Sequence, residues 1–161
     1  MASNILSSLA KRKQYPDPMT NESRRSGCPI AISLDLFGDR WSLLIVRDLL
    51  FKKLRTFSQF AAAGEGIASN VLSDRLARLE TAGIIEQHRD PDDGRRVIYR
   101  LTEKGLALAP ALIEIVVWAA RYENTDAPPA LVKEMTTNRR GVLTRLRREW
   151  RAEQGKGRKE H

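Results

Sequence analysis

Apolar residues follow helical spacing along most of the chain and alternate at only one place. Residues 41–51, WSLLIVRDLLF, are apolar on most faces, and a run of this length fits a central buried helix rather than a strand. Upstream, Cys28-Pro29 opens a helix with proline at its first helical position; it runs to about Phe37 and ends at Gly38. Thr56-Phe57-Ser58-Gln59 has the form of a capping box and starts a short helix that stops at Gly64-Glu65-Gly66. In residues 68–82, Leu72, Leu76 and Leu79 recur at i, i+4 and i+7, so one face is apolar. Asn70, Ser73, Asp74 and Ala77 keep another face polar and small, and Gly83 suits the helix end. Alternation begins at Ile84-Ile85, a strand that pairs across a turn at 92–94 with residues 97–101. Thr102 then caps a long helix from Glu103 to about Asn124, kinked where Pro110 removes a backbone hydrogen bond. Pro128-Pro129 starts a further helical stretch, interrupted at Gly141 and resumed by Val142, Leu143, Leu146 and Trp150.

Three helices, a two-stranded hairpin and a long helix are the order of a winged helix-turn-helix. The expected fold is therefore mainly α with a small β-hairpin, extended by a long dimerisation helix and a C-terminal helical piece. It divides into a flexible basic arm (1–25), a DNA-binding winged domain (26–104), dimerisation helices (105–150) and a basic tail (151–161). Leu108, Leu112, Ile115, Ala119 and Tyr122 form a stripe on the long helix that a small winged domain cannot cover, which predicts a second copy against it. Trp41 and Trp118 are expected to pack rather than to stack on a ligand.

Composition changes this picture little. Apolar residues make up 42% and charged residues 30% of 161 residues, enough for one core. The longest apolar run, 113–120, is too short to span a bilayer, and the N-terminal charges follow the apolar part rather than precede it, so a cytoplasmic protein without membrane attachment is expected. The net charge of +8 is unevenly placed: residues 1–25 carry +3, residues 139–161 carry +6 and the middle carries −1. A nucleic-acid reading must therefore rest on where cations sit, not on the total. The segment 139–159 is either an added nonspecific DNA contact or a solvated helix face, with Arg145, Arg148 and Arg151 at helical spacing.

The candidate chemistry lies on the helix at 68–82 and on the hairpin. A helix with one apolar side presents its other side to a major groove, where Asn, Ser and Arg can address base edges and phosphates. Asn70, Ser73 and Arg75 are the expected contacts on this helix, with Arg75 on phosphate or base, while Asp74 is structural. Arg95 and Arg96, beside Gly94 at the hairpin tip, suit the strongly negative minor groove, with Asp92 or Asp93 orienting one of them. Arg55 reads as a phosphate contact or as half of a surface ion pair. His88 and His161 are too few and too far apart for a catalytic triad or metal site, so no enzyme activity, cofactor or metal is expected. Cys28 is the single cysteine; it is either a small residue beside a helix start or a redox-sensing thiol whose thiolate that helix start favours, with Arg24 and Arg25 just upstream.

The span 26–123 closely resembles the HxlR-type bacterial transcription regulators. The features that carry the resemblance are Cys28-Pro29, Gly38-x-x-Trp41 before a Leu/Ile helix, Arg55-x-Phe57-x-x-Phe60, Leu72-x-x-Arg75-Leu76-x-x-Leu79-Glu80-x-x-Gly83, Tyr99-x-Leu101-Thr102-x-x-Gly105 and Trp118. Two positions depart from it. Asp93-x-Arg95 is more like the wing of MarR-type regulators, and Ala68 stands where a serine cap is usual, so Ser69 is expected to cap the helix instead, beside the DNA. The resemblance implies a homodimer that binds double-stranded DNA at a two-fold symmetric operator, as a repressor rather than an activator. It also raises the sensing reading of Cys28, toward an oxidant or small-molecule effector. The alternative is a winged-helix protein-interaction or assembly module without sequence-specific readout, toward which the near-neutral middle of the chain points.

Overall fold

The computed structural model describes residues 26–156. The basic arm at 1–25 and the last five residues of the tail lie outside the described residues. The elements are α1 (Pro29–Phe37), α2 (Ser42–Arg47), a π-helical turn (Asp48–Lys52), α3 (Phe57–Ala61), α4 (Ser69–Thr81), β1 (Ile85–Arg89), β2 (Val97–Leu101), α5 (Glu103–Leu106), α6 (Ala109–Tyr122), α7 (Pro129–Thr137) and α8 (Arg139–Lys156). This is the winged helix-turn-helix order followed by a helical pair.

Local chemistry accounts for most boundaries. Thr56 and Gln59 form both halves of the capping box that starts α3. Gly83 closes α4 at φ 66°, a left-handed position that favours glycine. The hairpin register runs from Ile85↔Leu101 to Arg89↔Val97, as the alternation requires. Thr102 accepts a hydrogen bond from Gly105 N–H at 3.1 Å, and its hydroxyl donates to the Gly83 carbonyl at 2.6 Å. The long helix is broken at 107–108, one turn ahead of the Pro110 ring, and continues as α6.

Residues 41–51 do not form one regular helix. The chain widens into the π-helical turn after Arg47 and leaves it at Lys53, which has φ 57° and is the one non-glycine residue with positive φ among the described residues. Asp48, Leu49 and Leu50 are all buried there, and the Asp48 carboxylate is paired by Arg47 at 2.6 Å and Lys52 at 3.4 Å.

One core spans the proposed boundary at residue 104. Ile45, Val46, Leu49, Leu72, Leu76, Leu79, Ile84, Leu101, Leu112 and Ile113 share it with Met135, Val142 and Leu146 from α7 and α8. The C-terminal pair therefore folds back on its own domain. The tail expected to begin at 151 is still helical to Lys156, because α8 is held along its last turns. Trp150 Nε1–H donates to the Leu101 carbonyl at 2.6 Å, Gln154 donates to the same oxygen at 3.3 Å, and Glu149 pairs with Lys53 at 2.6 Å. The helical stretch Glu103–Tyr122 is by length and composition apolar enough to cross a membrane, unlike the shorter run 113–120. Its Ala109, Leu112 and Ile113 pack into the core, as a core helix of a globular domain does.

Gly105 is where backbone meets backbone. A Cβ there would overlap the Ile84 carbonyl oxygen, which cannot swing away as a side chain could. Gly105→Ala is expected to lower stability by about 3 kcal/mol, read as a drop in the urea midpoint at unchanged m-value.

Candidate nucleic-acid interface

Helix α4 buries Leu72, Leu76 and Leu79 and leaves Ser69, Asn70, Ser73, Asp74, Ala77 and Arg78 exposed. Its N-cap is Ala68, not Ser69. Ala68 is already extended (φ −68°, ψ 144°) and its carbonyl accepts the Leu72 N–H at 2.9 Å, so Ser69 is the first helical residue and no side chain caps the helix. The first-turn N–H groups of α4 thus have no side-chain acceptor, and they carry the positive end of the helix dipole.

Arg75 is half-buried rather than presented outward. Its guanidinium lies 3.6 Å from Asp39 and 3.5 Å from Asp74, and its Nε is buried without a hydrogen-bond partner. Asp39 in turn accepts from the Trp41 N–H (2.8 Å), the Ser42 N–H (3.0 Å) and the Ser42 hydroxyl (2.5 Å). Partial burial pushes the Asp39 carboxyl up, but the Ser42 hydroxyl, these two amides and the Arg75 charge together hold it below the usual carboxylate range. Arg75 thereby ties α4 to the start of α2. Asp74 also pairs with Arg78 at 3.2 Å, in keeping with a structural role. Arg78, exposed on the same face, was not singled out from sequence; its i, i+4 spacing from Asp74 was the available signal.

At the hairpin, the turn 90–96 is organised by carboxylates. Asp90 accepts the Asp92 N–H at 3.0 Å, and Asp93 accepts the Arg95 N–H at 3.1 Å. Gly94 lies inside the turn but without positive φ. The two tip arginines differ. Arg96 is drawn back to Asp90 at 3.3 Å and Asp93 at 3.8 Å. The exposed Arg95 side chain has no ion pair among the described residues. Arg89 at the base of the turn donates to the Gly94 carbonyl at 3.4 Å. The hairpin is joined to α4 by Gln87, which donates to Glu80 at 2.7 Å.

Arg55 is turned into the fold. Its guanidinium donates to the carbonyls of Leu49 and Leu54, both at 2.8 Å, and pairs with Glu153 at 2.5 Å. Its own carbonyl accepts the Tyr99 N–H at 2.7 Å. Of the two sequence readings, the ion pair is the one the geometry contains, with a partner on α8.

Cys28 is exposed at the N-cap of α1, and the backbone N–H groups of Ala31 and Ile30 lower its thiol below the ordinary value. Large apolar side chains are exposed on two helices: Ile30 and Leu34 on α1, and Ile115, Trp118 and Tyr122 on α6. The expected stripe is corrected by this arrangement. Leu112 faces the core of its own chain, and Leu108 packs against it; the outward positions are Ile115, Trp118 and Tyr122, at i, i+3 and i+7. Trp118, expected to pack within the fold, is 58% exposed and lies against Tyr122 with ring centroids 5.8 Å apart. Trp41 is half-buried with Arg40 over its ring.

The HxlR-like helix-turn-helix family matches residues 36–127. The uncharacterized HTH-type transcriptional regulator YvaP of Bacillus subtilis is 41% identical over 90 residues, 56% of this chain and 82% of that protein. The HTH-type transcriptional regulator YodB of Bacillus subtilis is 34% identical over 96 residues, 59% of this chain and 85% of YodB. Among solved structures, PA1607 superposes with a TM-score of 0.59 at 37% identity, over 66% of this chain and 73% of that one. The reduced form of YodB gives 0.50 at 33%, over 60% of this chain and 95% of that one.

Proposed function

Since the chain belongs to the HxlR-like helix-turn-helix family of transcriptional regulators, we propose that it acts as a homodimeric repressor that reads a two-fold symmetric operator. The observation that carries this reading is the face of α4 opposite its buried leucines, where Ser69, Asn70 and Ser73 stand exposed at an uncapped helix start. Open amides at that end suit a phosphate, and Asn70 suits the edge of an adenine in the major groove. Arg95 is the wing cation free to enter a minor groove, and Arg96 supports the turn from behind. Arg75 positions α4, and Arg55 holds α8; neither is counted as a base contact here. The exposed apolar residues of α6, with those of α1, supply the dimer contact, which would set two copies of α4 about one DNA turn apart.

The test is selection of bound DNA from a random pool, followed by affinity measurements on the selected sequence. Asn70→Ala is expected to weaken binding by about tenfold or more and relax preference at one base position, with little effect on random DNA. Arg95→Ala is expected to weaken selected and random DNA alike and reduce the salt slope by about one per half-site. A pool that yields no preferred sequence, with affinity insensitive to salt, would favour the protein-interaction module instead.

A thiol response through Cys28 is the second part of the proposal, supported by its exposure at a helix start and by the likeness to YodB, which has been solved in a reduced form. With one cysteine per chain, any disulfide must join two chains or capture a small thiol, and intact mass would tell these from a sulfenic or sulfinic acid. Cys28→Ser is expected to bind DNA as the reduced protein does and to lose sensitivity to diamide; retained sensitivity would remove Cys28 from the mechanism.

A further inference from the structure

The break between α5 and α6 leaves a groove against α8 of about 380 Å³, a size suited to a small molecule. Leu106, Ala109 and Pro110 form one side of it, and Leu143 and Trp150 the other. The Trp150 N–H is already bonded to the Leu101 carbonyl at 2.6 Å, which fixes the indole and leaves its carbon faces for contact. Arg147 and Arg151, one helical turn apart, line the same groove. Neither has an ion pair or hydrogen bond among the described residues, in contrast to Arg145, which Glu134 holds at 2.6 and 2.9 Å. Leu143, Arg147 and Arg151 also border a second hollow, of about 640 Å³, where Arg139, Arg140 and Arg148 join them. Like charges along one helix face repel one another. Glu103 is the one carboxylate in the first groove, so its lining remains positive.

From an apolar floor, a fixed aromatic wall and two cations unpaired among the described residues, we propose that this groove binds an organic anion: an aromatic or aliphatic carboxylate. Its hydrocarbon lies between Pro110 and Trp150, and its charged end meets Arg147 and Arg151. One wall belongs to the family-matched residues 36–127 and the other to α8, beyond that match, so the site is an addition made by this chain's C-terminal helices. The inference stands apart from the DNA reading, and its primary readout is ligand binding without DNA.

The experiment titrates 2-naphthoate into the full-length protein by calorimetry, with tryptophan fluorescence as a second signal. One site per chain is expected, with the uncharged 2-naphthamide binding at least about tenfold more weakly. The double substitution Arg147→Gln with Arg151→Gln is expected to weaken naphthoate by at least about tenfold while leaving the thermal unfolding midpoint in place, because neither arginine is paired among the described residues. Absence of saturable naphthoate binding, equal binding of the amide, or unchanged affinity in the double variant would each overturn the proposal. Should naphthoate fail to saturate while the double variant loses DNA affinity, the arginine face belongs to phosphate contact and the groove is not a ligand site.

Discussion

Trp118→Glu is expected to convert the protein into a folded monomer and to lower affinity for its selected DNA by at least about 100-fold. Trp118 is 58% exposed within one chain, so the substitution removes little from the core. Across a two-fold axis it would remove two large aromatic surfaces. Each has on the order of 150 Å² left to bury, or roughly 4 kcal/mol at 25 cal/mol per Å². In their place it would bring two carboxylates into an apolar contact, with only the exposed Arg121 one turn away, over the Tyr122 ring, to offset them. Ile115 and Tyr122 share the outward face of α6 with it; Ile30 and Leu34 are exposed on α1, which has no buried residue of its own within the chain, so that helix has most to gain from a partner. Sedimentation would report the mass, circular dichroism the retained fold and fluorescence anisotropy the DNA affinity. A variant that stays dimeric with unchanged affinity would place the interface elsewhere.

The second large effect concerns the C-terminal pair. Deleting residues 128–161 is expected to abolish cooperative folding, although the family match ends at residue 127. The deletion removes Met135, Val142 and Leu146, which are 1%, 1% and 5% exposed. At about 1.5–3 kcal/mol for each buried side chain, their loss approaches the whole net stability of a typical domain, about 5–15 kcal/mol. It also bares Leu49, Leu50 and Ile113 beneath them and strips Arg55 of Glu153. The ion pairs add little by comparison, since exposed pairs contribute at most about 1 kcal/mol. Urea unfolding followed by near-ultraviolet circular dichroism would show a broad, weakly cooperative loss of signal. A sharp transition near the full-length midpoint would mean that the two helices are ornamental.

Much of the winged fold was legible because its rules are local. The Thr56/Gln59 box, the left-handed Gly83, the 72/76/79 leucines and the hairpin register each depend on residues a few positions apart. What could not be read depended on distant partners. Arg55 points inward because Glu153 lies 98 residues further along the chain. Leu108, Leu112, Ile115, Ala119 and Tyr122 follow the helical repeat, as do Ile115, Trp118 and Tyr122; Ile115 and Tyr122 face out as expected, and packing within the chain turns Leu112 and Leu108 to the core and leaves Trp118 exposed. Ser69 was assigned as the cap on chemical preference, but the chain enters the helix one residue earlier, at Ala68, which has no oxygen to offer. Of the two tip arginines, Arg96 is held by Asp93, one of the two aspartates the sequence offers for this, and more closely by Asp90, six residues away across the turn.

Strand β2 has a different neighbour at each end. At Leu101 its carbonyl receives both Trp150 and Gln154, and beyond Val97 it passes into the turn that carries Arg95. Five extended residues span roughly 16 Å and bend little along their length. The strand is therefore a direct backbone link between the last helix and the hairpin turn, so the anchoring of α8 and the placing of Arg95 share one five-residue element.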